Sequence, residues 1–164
     1  MATIHTLVAR GELVKLAPAL SPNELERRLI HMTPDLRDWM AIVLPTLVPR
    51  WTTQLSPQEQ MGTLIDDFCT GTALFYPSDF HPMQRVAEGI WALKTTDVRI
   101  FGWFHARDCF IGVVAGDATE IKQDGKYGNC CLDVKNFRQQ LDLDAPKHLE
   151  GSNPDDVLSN CYPS

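Results

Sequence analysis

Between Gly89 and Gly116 the chain concentrates side chains suited to holding a polyanion and acting on it. Lys94, Arg99 and Arg107 supply positive charge. His105, and His81 a little upstream, carry imidazoles that titrate near neutrality and so can take up or release a proton. Phe101 and Trp103 offer flat rings, on which a stacked base gains about 1–3 kcal/mol. Lys122, Lys126 and Tyr127 follow in a polar stretch, KQDGKYG. Cations around a scissile phosphate, plus a group that moves a proton, are what phosphodiester cleavage requires. Each residue also has an ordinary reading. Arg99 can pair with Asp97 or Asp108, the two rings can pack under a helix, and His81 and His105 can bond to backbone. Lys122, Lys126 and Tyr127 can form a solvated turn.

Three strands position these groups, at 90–94, 98–104 and 109–114, joined by connections short enough for hairpins. The middle strand alternates. Val98, Ile100 and Phe104 fall on one face; Arg99, Phe101, Trp103 and His105 fall on the other. Three strands cannot hold together alone, so helices must cover one face, and the other is expected to be bare, cationic and aromatic.

Helix-start chemistry recurs along the chain. Ser21-Pro22-Asn23-Glu24 and Ser56-Pro57-Gln58-Glu59 both place a capping hydroxyl, a proline at the first turn and a glutamate three residues on. Helices are expected at 6–17, 22–31, 34–44, 57–70, 131–141 and 154–159. Pro45 and Pro49 interrupt the chain after the third, which makes 1–50 an N-terminal helical extension and 51–164 the core. Residues 75–82 read as an aromatic, proline-rich loop. The sum is an α+β fold: a small antiparallel sheet of three to four strands, about 89–115, packed against helices.

The 164 residues suit one domain, and a hydrophobic fraction of 44% is ordinary for a chain with a true core. No apolar run reaches membrane-spanning length and the N-terminus lacks a signal-peptide pattern, so a cytoplasmic protein with no membrane partner is expected. Five cysteines include no CxxC pair, and the histidines at 5, 31, 81, 105 and 148 show no ligand spacing; neither metal nor cofactor is expected. The net charge of −6 is uneven. Residues 58–80 hold Glu59, Asp66, Asp67 and Asp79 without a Lys or Arg, and 141–164 hold a single base, Lys147. The strand region is not acidic, yet the chain lacks the strongly basic footprint of a general nucleic-acid binder.

Residues 56–141 resemble the RelE/HigB/ParE superfamily of small toxins. The shared pattern is a helix, a strand ending W-x-L-K (Trp91, Leu93, Lys94) and a strand with arginine before large apolar residues (Arg99, Ile100, Phe101). A third apolar strand with basic residues after it, Lys122 and Lys126, completes the pattern. The segment HPMQRVAEGIWALKTTDVRIFGWF is also similar to bacterial and phage-related proteins. The resemblance implies a toxin–antitoxin or phage-related module with RNA as substrate and an antitoxin or host protein as partner. It makes Lys94 and Arg99 phosphate contacts, and His105 or Tyr127 the proton-transfer group. Phe101, Trp103, Arg107, Lys122 and Lys126 complete the substrate surface. Two features depart from the family: the chain is acidic, and residues 1–50 have no counterpart. The alternative is a non-enzymatic inhibitor or adaptor, whose acidic helix 57–70 and acidic tail contact a basic host protein. A homodimer paired through the aromatic sheet face is a third reading. Whether the chain is catalytic stays open.

Overall fold

The computed structural model describes residues 1–51, 55–83 and 89–164. The chain opens with α1 (Ile4–Ala9), β1 (Val14–Lys15) and β2 (Leu29–Met32). Helix α2 (Pro34–Ile42) leads through a 3-10 turn at Leu44–Thr46 to α3 (Pro57–Thr70). Strands β3 (Leu74–Tyr76) and β4 (Phe80–Pro82) precede the meander of β5 (Trp91–Lys94), β6 (Val98–Ala106) and β7 (Cys109–Asp117). Helices α4 (Ala118–Gln123), α5 (Tyr127–Gln140) and α6 (Pro154–Val157) and strand β8 (Cys161–Pro163) complete it.

Local chemistry accounts for the helices that the sequence announces. Thr33 accepts the Leu36 N–H at the start of α2, with Pro34 at the first position. Ser56 and Glu59 close a full capping box on α3, and Gly71, at φ 79°, ends that helix in the left-handed conformation. Among the described residues no helix is long and apolar enough to cross a membrane.

The fold is mixed α and β, with a sheet larger than the sequence implied. Six strands run in the order β1-β2-β7-β6-β5-β4, with every neighbouring pair antiparallel except β2–β7. A second, two-stranded sheet pairs β3 with β8 in parallel. The loop expected at 75–82 thus contains two strand segments. The helix expected over 22–31 is replaced by the extended β2. Only half of its S-P-x-E start forms, in a lone turn: Ser21 N–H donates to the Glu24 carboxylate at 2.9 Å, while Glu24 N–H donates to the Ser21 carbonyl at 3.0 Å. Leu25, which a buried helical stripe would require, is 69% exposed. The helix expected over 6–17 ends at Ala9, and the N-terminal fifty residues are therefore not purely helical.

Both faces of the sheet are covered. On one, Trp91, Leu93, Ile100, Phe104 and Phe110 pack with Leu36 of α2 and Met61, Leu64 and Phe68 of α3. On the other, Ala92, Phe101, Trp103 and Ile111 pack with Leu7 of α1, Ile121 of α4 and Cys131 and Val134 of α5. The face expected to be bare is therefore roofed, and Phe101 and Trp103 are 0% exposed. Helix α5 supplies most of the aromatic cover: Tyr127 meets Phe101 edge-on with ring centroids 6.0 Å apart, and Phe137 lies 6.2 Å from Trp103. Lys147 stitches the roof down. Its ammonium caps α5 by donating to the carbonyls of Arg138 and Gln139, both at 3.1 Å, while its own carbonyl accepts the Trp103 indole N–H at 2.8 Å. The two rings thus form neither a base-stacking platform nor a surface for self-pairing.

Candidate cationic cleft

Clefts open beside the β5–β6 turn, between it and the residues of α3, α4 and α5. Lys94 and Arg99 stand directly opposite each other there, two register steps beyond the buried Ala92–Phe101 pair and on the same face. The turn between them is fixed by Thr95, whose N–H donates to the Val98 carbonyl at 3.0 Å and whose hydroxyl accepts the Val98 N–H at 3.0 Å.

Asp97, 2% exposed, does not neutralise the arginine. Its carboxylate accepts from the Gln60 amide at 2.6 Å and from the Arg50 backbone N–H at 3.3 Å, while its own N–H donates to Gln60 at 3.0 Å. Asp108 lies at the opposite end of β6, where it accepts from Ser159 and pairs with Arg28. Arg99 instead curls over the hairpin and donates to the carbonyls of Thr95 and Val98. Among the described residues no ion pair joins Arg50, Lys94, Arg99 or Lys122 to an acid.

Two clefts meet at Thr96 and Arg99. The smaller, about 470 Å³, is walled by Arg50, Arg99, Lys122 and Tyr127 and contains no carboxylate. The larger, about 690 Å³, lies between α3 and the β3–β4 segment and takes in Lys94, Asp67 and Asp79. Burial and then the charge of Arg99 lower the Lys94 pKa, with Asp79 acting the other way. The pKa of His81, which lies on β4 opposite Ala92, is lowered by burial first and by Lys94 next; its contact with the Pro82 carbonyl works the other way and Arg99 adds to the lowering. The cations at this corner therefore sense one another.

The sequence-nominated residues divide. Arg99 shares the smaller cleft with Lys122 and Tyr127, and the larger with Lys94. His105 and Arg107 do not join them. Six or more residues along an extended strand place them roughly 20 Å away, and both are engaged: His105 Nδ1 lies 3.3 Å from the Lys147 carbonyl, and Arg107 donates to the Asp155 carbonyl at 3.2 Å. Lys126 pairs with Asp124 at 3.4 Å and faces a different cavity. Arg50, Asp67 and Asp79 complete the clefts and were not singled out as site residues. Their contributions come from tertiary placement, and no spacing signals it.

Among the described residues the cysteines do not form a reactive centre. Burial pushes the thiols up, Cys69 to about 12 and Cys131 and Cys161 to about 11. Among the described residues no group of three or more His, Cys, Asp or Glu could hold a metal ion. The fold thus defines a mixed α/β sandwich with a cationic corner. Comparison with known proteins adds no relative: no family model, no curated protein and no solved structure matches the chain.

Proposed function

We propose that the protein binds the phosphate backbone of RNA at the Arg99 corner, as a RelE/HigB-like module of a toxin–antitoxin or phage-related system. The observation that carries this reading is the smaller cleft: three cations, Arg50, Arg99 and Lys122, converge with a tyrosine and without a carboxylate. Arginine presents its fork of donors to phosphate, and lysine adds a point charge. In an acidic chain such a local concentration favours an anion at one place while the remaining surface repels polyanions. Tyr127 is the proton-transfer candidate that remains beside these cations, whereas His105 is bound at the far end of β6. Base contacts must come from groups other than Phe101 and Trp103.

The test is binding of a short single-stranded RNA by fluorescence anisotropy at low and moderate salt. The reading predicts salt-sensitive binding that Arg50→Ala/Arg99→Ala/Lys122→Ala abolishes. Equal binding by the triple variant removes it. Inducible expression in a bacterium, following growth and RNA integrity, then separates binding from cleavage. The alternative, an acidic inhibitor of a basic host protein, has less to draw on. Of its tail acids, Asp142 already pairs with the N-terminal ammonium at 3.3 Å and with Arg10 at 3.5 Å.

A further inference from the structure

The two clefts at Arg99 differ in chemistry as the two ends of a nucleotide do. The smaller is cationic; the larger has apolar walls in Leu55, Leu64, Leu74 and Phe75, with Asp67 and Asp79 among them. At about 690 Å³ the larger cleft is of the size that takes a small organic group. Asp79 uses one oxygen to accept the Phe75 N–H at 2.8 Å. Asp67 projects from α3 into the cleft's lining, and its carboxylate accepts no hydrogen bond from the described residues. Burial, with Asp66 and Asp79 nearby, raises the Asp67 pKa. A carboxylate offers acceptors only, so its complement is a group with N–H donors, and two adjacent donors can engage both oxygens at once.

Among the common bases guanine carries that pair on one edge, its ring N–H and exocyclic amine. Adenine and cytosine present an amine beside an acceptor nitrogen, and uracil a single N–H between two carbonyl oxygens that a carboxylate repels. We infer that Asp67 reads guanine in the larger cleft while Arg99, with Arg50 and Lys122, holds the attached phosphate. The ligand is then a guanosine nucleotide unit, free or within RNA. This inference rests on the phosphate-binding reading above and adds to it a base and the residue that selects it.

The full chain is titrated with GMP, IMP, AMP, CMP and UMP by calorimetry, and with two short RNAs that differ only in one guanosine replaced by uridine. GMP should bind about tenfold or more tighter than UMP, because UMP leaves the carboxylate unpaired. IMP, which lacks the exocyclic amine, should fall between them. Asp67→Asn should weaken GMP and erase its advantage over UMP, while UMP, relieved of the repulsion, should bind at least as well as to the wild type, which also shows that the variant is folded. Arg99→Ala should weaken all five alike. If the free nucleotides fail and the guanosine-containing RNA alone binds tightly, the unit is read within RNA. Equal binding of GMP and UMP, together with no preference between the RNAs, overturns the base assignment and leaves phosphate binding standing. No binding of any nucleotide or RNA overturns both.

Discussion

The Arg28 guanidinium donates to the Ser159 carbonyl at 2.7 Å, joining residues 131 positions apart. The same group, 0% exposed, reaches the carbonyls of Phe68 at 3.1 Å and Thr72 at 2.9 Å and lies 3.6 Å from the Asp108 carboxylate. It lies 5.5 Å above the Phe68 ring. One side chain thus closes the end of α3, anchors the start of β2 and holds the C-terminal segment that forms β8. Arg28→Ala strands those carbonyls and leaves Asp108 facing a cavity. A cost of about 3–5 kcal/mol is expected, read as a lower urea midpoint. Arg28→Lys should recover only part of it, because an ammonium cannot fork toward both Thr72 and Ser159.

Gly102 and Gly62 should respond in opposite directions to alanine. A Cβ on Gly102 would lie 2.0 Å from the Ile111 carbonyl oxygen, at the point where the β6–β7 register shifts. That oxygen belongs to backbone and cannot swing aside, so Gly102→Ala should cost about 3 kcal/mol or more. Gly62 sits inside α3 with nothing within 4 Å of its added carbon. There alanine lowers only the entropy lost on folding, and Gly62→Ala should stabilise by about 0.5–1 kcal/mol. Thermal melts of the two variants check both signs.

These two glycines mark how far local reasoning reaches. Helices α2 and α3 were legible because their caps lie within three residues, and β5 to β7 because alternation is local. The strand β2 was not: Ser21 and Glu24 make only half of a capping box, in a turn that goes no further, and the parallel pairing with β7 that makes 29–32 a strand is eighty residues away. Nor was the roof legible, since nothing in the β6 sequence says that Tyr127 and Phe137 will lie over Phe101 and Trp103. The site followed the same division. Lys94 and Arg99 were legible as cations on the strands of one short hairpin, which the structure pairs directly, whereas Arg50 enters through the buried Asp97, whose carboxylate binds its backbone. His105 was grouped with Arg99 because both lie on β6, although strand length separates them.

The thiols should be inert in the native protein. All five have little reason to ionise at neutral pH, with Cys69 shifted to about 12, Cys131 and Cys161 to about 11, and Cys130 raised by burial. Cys109 is raised too. Because the thiolate is the nucleophile, a disulfide reagent at pH 8 should react slowly with folded protein and titrate all five thiols in denaturant. A rapid stoichiometric burst in the native state would contradict the burial of these groups.

Acid should destabilise the fold through His31. It is 6% exposed on β2, paired in register with Lys15, and its Nδ1 has no hydrogen-bond partner. Burial, and then Lys15, lower its pKa from the ordinary 6.5; Glu26 opposes them and His105 adds a small lowering. The imidazole is therefore neutral in the folded state at pH values where the unfolded chain already binds a proton. The sign follows from linkage: the unfolded state takes up more protons, so stability falls as pH drops below about 6.5 and levels off beneath the lowered folded value. His81, lowered in the same direction, adds to the slope. Urea midpoints measured from pH 7.5 down to 5 should therefore decline. In His31→Leu, which keeps an apolar group on that strand and removes the titration, the decline should be shallower. If wild type and His31→Leu lose stability in parallel over that range, the acid sensitivity originates elsewhere.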